Sequence, residues 1–196
     1  MTCENPDFSF ASKKPGTYSA PTIDNIFVQE WKIHHVDSKT RTPWKTKSGG
    51  YLEVLFHLPW NLVQRVISST YEPEELANMP EGFDIRGLRG YSVMNIPEDK
   101  IGGLEFHRIR HEIIYSLGGE VEWRFEDVYG KMKEILLSGD KVIYFPPLIK
   151  HDYWTPKNSG GSLGVFCNTL FNPLDKITQD TYSAEIFEGL KKKFEN

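Results

Sequence analysis

The sequence has little cysteine, no long apolar run and no excess of positive charge, and each absence excludes a class of protein. Its two cysteines, Cys3 and Cys167, cannot form the disulfide framework of a small secreted protein, so we expect a cytoplasmic protein. No apolar segment approaches the ~18–20 residues of a membrane-spanning helix. The first residues also lack the basic and apolar regions of a secretory signal. We therefore expect neither secretion nor a membrane partner.

Charge and hydrophobic content narrow the possible partners further. The formal net charge of −4 at pH 7 provides no basic surface for a polyanion, so we expect no nucleic-acid partner. Hydrophobic residues make up 39% of the 196 positions, which is enough for a packed core and argues against disorder. We expect one domain that binds a small molecule.

Hydrophobic periodicity divides the chain into three parts. Residues 1–24 lack sustained periodicity, so we expect an N-terminal arm that is either disordered or crosses to a neighbouring subunit. Residues 25–180 are expected to form a β-barrel domain, and 181–196 a C-terminal helix. In the first half we predict strands at 26–35 and 51–57, a loop at 36–50 and one or two helical turns at 71–77.

Short alternating segments separated by glycine turns dominate the second half. The predicted strands are 87–95, 104–107, 111–117, 121–125, 132–137, 141–145 and 163–170. Glycines such as Gly118-Gly119 and Gly160-Gly161 supply the positive φ that tight turns need. Strands of this length with turns at this spacing indicate an all-β sandwich or barrel, and nothing suggests alternation of strands with helices.

The C-terminal segment is expected to form a helix on the outside of the barrel. Ser183 is the expected N-cap residue, and Lys191–Lys193 are expected to form a solvated helix end. The apolar residues fall on one helical stripe, made of Tyr182, Ile186, Phe187, Leu190 and Phe194.

Carboxylates and imidazoles gather at two points that are well separated in sequence. Glu105 and His107 share one face of a predicted strand, because alternate residues of a strand share a face. Glu112 would rejoin this face across a small irregularity, whereas the adjacent His111 would face away. Antiparallel strands can fold these residues onto His151, which predicts a pocket with acid–base or metal-binding chemistry.

Both chemistries suit these residue types. Two imidazoles with one or two carboxylates suit Fe, Mn, Ni or Zn as divalent ions, so His107, Glu112, His151 and Glu105 are candidate ligands of a metal. Alternatively, the same groups bind no metal and contact a substrate directly, with Glu105 available to remove a proton next to a carbonyl. No organic cofactor is expected.

The spacing of the first cluster resembles the first motif of the cupins. The chain reads Glu105-x-His107, four residues, Glu112, six residues and Gly119. Cupins have His-x-His, three or four residues, Glu, six residues and Gly. Glu105 therefore stands where cupins have their first His.

The second cluster resembles the second cupin motif. Gly139 is followed by Pro146-Pro147-Leu148 and His151, where cupins have Gly, a Pro-x-Gly turn and His. Leu148 replaces the turn glycine, and one extra residue separates Gly139 from Pro146. The resemblance implies a cupin jelly roll, that is, a double-stranded β-helix, with N-terminal extra strands and a C-terminal helix.

A closer resemblance covers roughly residues 86–182. The segment 89–100, extended to Arg108, is similar to the corresponding part of the WxcM-like sugar-nucleotide 3,4-ketoisomerases, as is 168–175. These cupins move a carbonyl along a sugar ring by shuttling protons and are similar in fold to the dTDP-sugar 3,5-epimerases. Arg89, Tyr91 and His107 match the family. Glu105 replaces its first His, and Gly102 replaces its preceding Arg.

Three functions follow from these resemblances. The first is isomerisation or epimerisation of a small carbonyl substrate, plausibly a nucleotide-linked 4-oxo-6-deoxy sugar, with Glu105 and His107 as base and acid and Tyr91 and His151 orienting the substrate. The second is a metal-dependent dioxygenase or lyase. The third is a non-catalytic ligand-binding barrel. A homodimer is expected, because such barrels leave sheet edges and flat faces to cover.

Four further residues are candidates for substrate binding. Arg89 and Arg108 could contact a phosphate, and Tyr144 and Trp154 could stack on a nucleotide base. The alternatives are a solvated edge for Arg108 and for Arg110, and core or rim packing for the two aromatic residues.

Overall fold

The computed structural model of the chain describes residues 20–30, 44–52, 58–67, 86–139, 141–169 and 180–194. These ranges contain a short 3-10 helix (Ile23–Asn25) and two α-helices, α1 (Trp60–Ile67) and α2 (Ala184–Lys191). Neither α-helix has the length and apolarity needed to cross a membrane. The strands are β1 (Phe27–Glu30), β2 (Trp44–Lys45), β3 (Tyr51–Leu52), β4 (Arg86–Val93), β5 (Ile101–Phe106), β6 (Glu112–Glu126), β7 (Met132–Ser138), β8 (Lys141–Phe145), β9 (Lys150–Trp154), β10 (Gly161–Thr169) and β11 (Tyr182–Ser183).

Nine of the described strands form one antiparallel sheet that folds over itself into two layers. One layer has the order β1-β8-β6-β10-β4. The other has the order β7-β6-β9-β5-β11. β6 belongs to both layers, because its first part pairs with β8 and β10 and its last part pairs with β7 and β9. This architecture confirms the predicted all-β jelly roll.

The bend of β6 corrects one prediction. The sequence predicted two strands separated by a turn at Gly118-Gly119, but β6 runs through both glycines, and the register with β10 shifts next to them. Gly119 has a φ of +69°, and a Cβ atom on it would overlap the carbonyl group of Gly160. The two glycines therefore bend one strand from the first layer into the second and do not reverse the chain.

Apolar side chains fill the space between the two layers. Ile114 points inward before the bend, and Val121, Trp123 and Phe125 alternate inward after it. They pack against inward residues of the neighbouring strands, which are Leu137, Ile143, Phe145, Leu163 and Val165. The buried polar residues His107, Arg110 and Glu112 lie beyond this core, where β5 ends and β6 begins.

Five described elements were not predicted, among them the 3-10 helix and β11, which takes the first residues of the predicted C-terminal helix. α1 packs Leu62 and Val66 on the outer face of β6 and β8. β2 lies inside the predicted loop 36–50 and forms a hairpin with β3. β9 begins with Lys150, His151 and Asp152, and these polar residues hide its alternation. The helical turns predicted at 71–77, and the strand residues predicted at 31–35 and 53–57, lie outside the described residues.

The C-terminal helix α2 has the predicted apolar stripe. Phe187 and Leu190 are buried against Phe106 and Tyr182. Ser183 occupies the N-cap position, although its side chain makes no capping hydrogen bond. The prediction of a solvated end is wrong for Lys191, whose Nζ lies 2.6 Å from Glu126 Oε1 and so ties α2 to β6. Lys192 and Lys193 are exposed, as expected.

The last residues of the predicted N-terminal arm lie against the barrel. Ala20 is buried, and its N–H donates to the Tyr129 hydroxyl oxygen at 3.2 Å. The Ile23 N–H donates to Asp127 Oδ2 at 3.1 Å. Residues 1–19 of the arm lie outside the described residues.

We predict that Gly119→Ala destabilises the protein far more than Gly130→Ala does. Both glycines have positive φ, but a Cβ atom meets backbone only at Gly119 and nothing within 4 Å at Gly130. The positive φ alone costs roughly 1–2 kcal/mol, and overlap with a neighbouring group adds roughly 1–3 kcal/mol. Urea unfolding measures both values. Equal losses for the two variants would show that the bend of β6 does not require glycine.

Candidate active site

The four residues of the two predicted clusters meet at one end of the barrel interior. Glu105 on β5 and His151 on β9 are directly opposite each other in the strand register. His107 follows β5, and Glu112 begins β6. His107 Nε2 lies 3.6 Å from Glu112 Oε2, and His151 Nε2 lies 3.9 Å from Glu105 Oε1. The two imidazole rings are 5.2 Å apart between centroids.

The two carboxylates, Glu105 and Glu112, differ in their exposure to solvent. The Glu105 side chain is 30% exposed, whereas the side chains of Glu112 and of both histidines are buried. Glu105 therefore lies at the opening of the site, where a ligand can reach it, and Glu112 lies behind the histidines.

Asp180 holds the turn that carries His107. Its carboxylate accepts hydrogen bonds of 2.9–3.0 Å from three consecutive backbone N–H groups, those of Arg108, Ile109 and Arg110. The side chain is buried, and the residue has a φ of +50°. Sequence analysis missed Asp180 because it is far from the turn along the chain and matches no motif.

The hydrogen bonds of the two histidines fix which ring nitrogen carries a proton. His107 Nδ1 lies 2.6 Å from the carbonyl oxygen of Asp180, and His151 Nδ1 lies 3.1 Å from that of Ile149. A carbonyl oxygen only accepts, so Nδ1 carries the proton in both rings. His151 Nε2 therefore keeps its lone pair and faces Glu105, whereas His107 Nε2 lies between Arg110 Nη1 and Glu112 Oε2. Burial, followed by the nearby His107, lowers the pKa of His151, so His151 is neutral at pH 7.

A buried ion pair lies behind the histidines. Arg110 Nη1 lies 3.5 Å from Glu112 Oε1 and 3.4 Å from His107 Nε2, and Arg110 Nε donates to Thr169 at 3.1 Å. Burial by itself would raise the pKa of Glu112, but His107, the hydrogen bond to it and Arg110 together hold that pKa well below its usual range. The Tyr91 hydroxyl donates to Glu112 Oε1 at 3.3 Å.

Arg110 corrects the sequence prediction of a solvated edge. It is buried and belongs to the site. Strand alternation could not place it, because Arg110 lies in the turn before β6 that Asp180 holds. The fixed positive charge of Arg110 keeps Glu112 ionised.

Aromatic side chains form one wall of the site, around His151. The rings of Phe145 and Trp123 lie 4.8 Å and 6.0 Å from the His151 ring. Tyr153, two residues after His151 on β9, packs on Trp123 with centroids 4.8 Å apart. Neither Trp123 nor Tyr153 was among the site residues that the sequence predicted.

Two of the four predicted substrate-binding residues lie near the site. Arg89 is on β4 and lies over the Tyr91 ring at 4.9 Å. Arg108 is in the turn held by Asp180. Trp154 does not reach the site, because it alternates with the inward-facing Tyr153 and lies near Arg124 instead.

Tyr144 also lies away from the site. It alternates with the inward-facing Phe145 and packs under α1 on the outer face of the barrel. Its hydroxyl lies 2.8 Å from His111 Nδ1, so His111 faces away from Glu112, as predicted. Burial lowers the pKa of His111 to about 4.

The residues also fit a divalent metal in part. Glu105, His107 and His151 each offer one ligand atom, and these atoms lie within 4.8 Å of one another. His151 donates through Nδ1 to a carbonyl and keeps Nε2 available, as metal-binding histidines commonly do. His107 also donates through Nδ1, but its Nε2 lies 3.4 Å from Arg110 Nη1, which a bound ion would have to displace. Glu112 fits less well, because Arg110 already pairs with it and would repel a cation bound there.

Comparison with known proteins supports the fold. No family model and no curated protein matches the sequence. The structure is similar to that of the sugar 3,4-ketoisomerase QdtA from Thermoanaerobacterium thermosaccharolyticum in complex with TDP, with 18% identity and a TM-score of 0.51 over 88% of this chain and 98% of that chain. A mutant of QdtA in complex with TDP-4-keto-6-deoxyglucose has a TM-score of 0.50 at the same identity and coverage.

A third structure gives the same result. A 3,4-ketoisomerase from Helicobacter canadensis has 13% identity and a TM-score of 0.50 over 86% of this chain and 98% of that chain. At these identities the likeness shows the fold, and it confirms the cupin barrel that the motifs predicted.

We predict that Asp180→Ala lowers the free energy of unfolding by roughly 3–5 kcal/mol, because three buried N–H groups lose a charged acceptor. The matched control is Asp99→Ala, since Asp99 also has a positive φ (+57°) but is exposed. The control should lose less than about 1 kcal/mol. Urea unfolding compares the two variants. A loss for Asp180→Ala no larger than that of the control would contradict the assigned role.

Proposed function

We propose that the protein is an isomerase that moves a carbonyl group along the ring of a nucleotide-linked 4-keto-6-deoxy sugar by proton transfer. The observation that carries this proposal is the meeting of Glu105, His107 and His151, with the accessible Glu105 carboxylate 3.9 Å from His151 Nε2 and the two imidazole rings 5.2 Å apart. This arrangement provides groups that accept and return protons, which is what enolisation of a ketone requires.

The reaction balances with proton transfers alone. Removal of the proton on C3, next to the C4 carbonyl, gives an enediolate. The proton of the C3 hydroxyl then moves to the C4 oxygen, and a proton is added to C4, which leaves the carbonyl at C3. Two groups are needed for these transfers, since one exchanges the carbon-bound proton and the other moves the proton between the two oxygens.

The exposure of the residues suggests how they divide these roles. Glu105 is the carboxylate at the opening, so it is the group that removes the carbon-bound proton and returns it. His107 Nε2 takes the hydroxyl proton in place of its 3.4 Å contact with Arg110 Nη1. The imidazolium so formed faces the Glu112 carboxylate at 3.6 Å and then gives the proton to the other oxygen.

The fold supports the substrate class. QdtA, whose fold this chain shares, has been solved with TDP and, as a mutant, with TDP-4-keto-6-deoxyglucose. This chain has Glu105 where the ketoisomerase family has its first histidine. The base is therefore different, but the position still carries a proton acceptor.

We predict that the wild-type protein incorporates solvent deuterium into TDP-4-keto-6-deoxyglucose and that Glu105→Gln and His107→Gln each lower the rate by roughly 10²–10⁴-fold. Proton NMR in D₂O follows loss of the C3 proton signal of the substrate and the absence of a C4 proton signal in the product. The matched control is Glu134→Gln, since Glu134 is exposed on β7, away from the site, and its loss should leave the rate unchanged. An unchanged rate in both site variants would contradict the assigned roles.

A metal-dependent reaction is the second candidate, because three ligand atoms lie within 4.8 Å of one another. Glu105, His107 and His151 would hold the ion. A bound divalent ion would polarise a substrate carbonyl.

The second candidate predicts close to one divalent ion per chain, lost in the double variant His107→Ala/His151→Ala. Plasma mass spectrometry on protein purified without chelators or an affinity tag measures the metal content directly, independently of activity. If the unsubstituted protein contains no stoichiometric metal, the metal-dependent candidate is contradicted.

A further inference from the structure

Tyr153 lies in the site without an assigned role. It shares the inward face of β9 with His151 and packs against the interior core. Its ring lies against Trp123, with the centroids 4.8 Å apart. The phenol therefore lies on the same side of β9 as His151, the residue directly opposite Glu105 in the register.

Gly102 creates the space that Tyr153 occupies. The two residues are directly opposite each other in the register of β5 and β9. A Cβ atom on Gly102 would overlap the phenol ring and lie 2.7 Å from its hydroxyl oxygen. Any side chain at position 102 would displace the phenol, so the glycine fixes where the hydroxyl lies.

The two phenols of the site differ in their hydrogen bonds. The Tyr91 hydroxyl already donates to Glu112. Among the described residues, the Tyr153 hydroxyl has no hydrogen-bond partner. A phenol is protonated at neutral pH, so the Tyr153 hydroxyl can donate a hydrogen bond.

We propose that Tyr153 is a catalytic residue of this isomerisation and that its phenol donates a hydrogen bond to the carbonyl oxygen that becomes negative when Glu105 removes the proton. The inference rests on the proposed function. Arg110 is committed to Glu112 and Thr169, and Tyr91 to Glu112. Tyr153 thus keeps its donor for the substrate, and a donor placed in advance stabilises a developing negative charge.

The test is Tyr153→Phe, which removes one oxygen atom and keeps the ring on Trp123. We expect kcat for isomerisation of TDP-4-keto-6-deoxyglucose to fall by roughly 10²–10³-fold, with KM and the thermal midpoint little changed. The matched control is Tyr129→Phe, since Tyr129 is exposed and lies outside the site. Its kcat should stay at the wild-type value.

Gly102→Ala provides a second, independent variant. It displaces the phenol, so it should lower kcat in the wild-type background. It should lower kcat much less in the Tyr153→Phe background, because the hydroxyl is already gone. If Gly102→Ala lowers kcat by the same factor in both backgrounds, the inference is contradicted.

The outcomes separate this inference from the proposed function. If the wild type turns over and Tyr153→Phe keeps its kcat within about threefold of it, a change of well under 1 kcal/mol, the inference is overturned and the isomerase remains. A fall in thermal midpoint with a matching rise in KM would assign Tyr153 a structural role and also overturn it. If the wild type neither turns over nor exchanges deuterium, the proposed function fails and the inference fails with it.

Discussion

The whole molecule depends on β6 belonging to both layers of the sheet. A straight strand cannot do this, and the bend requires two consecutive glycines, one of which approaches the backbone of Gly160. Before the bend β6 supplies Glu112, and after it β6 supplies Trp123 and the strand partner of β9. One continuous strand therefore positions both the charged group behind the histidines and the aromatic wall beside them.

Burying charge in this barrel is costly, and the site shows how the cost is offset. Desolvation of an ion costs several kcal/mol even after relaxation. Arg110 and Glu112 compensate each other, and Thr169, Tyr91 and His107 supply further hydrogen bonds. A core of apolar residues would fold with less difficulty, so these charges are best explained by a role beside His107 in the proposed proton transfer.

Sequence alone predicted the barrel and the four central residues because both follow from local rules. Alternation places Glu105 beside His107, and glycine spacing indicates short strands. Asp180 could not be found in this way, since it joins the site through a long-range contact with backbone N–H groups. Tyr144 and Trp154 were misplaced for a related reason: an aromatic residue fits either face of a strand, and only the strand register shows which face is inside.

The contrast between the two carboxylates explains why proton transfer suits this site. Glu112 is buried and paired with Arg110, which leaves it ionised and unable to exchange protons with a ligand. Glu105 is accessible, and His151 beside it is neutral, so Glu105 is suited to take and return a proton in the proposed reaction. Two carboxylates in different surroundings can take different roles in this way. The guanidinium supplies the permanent positive charge at Glu112.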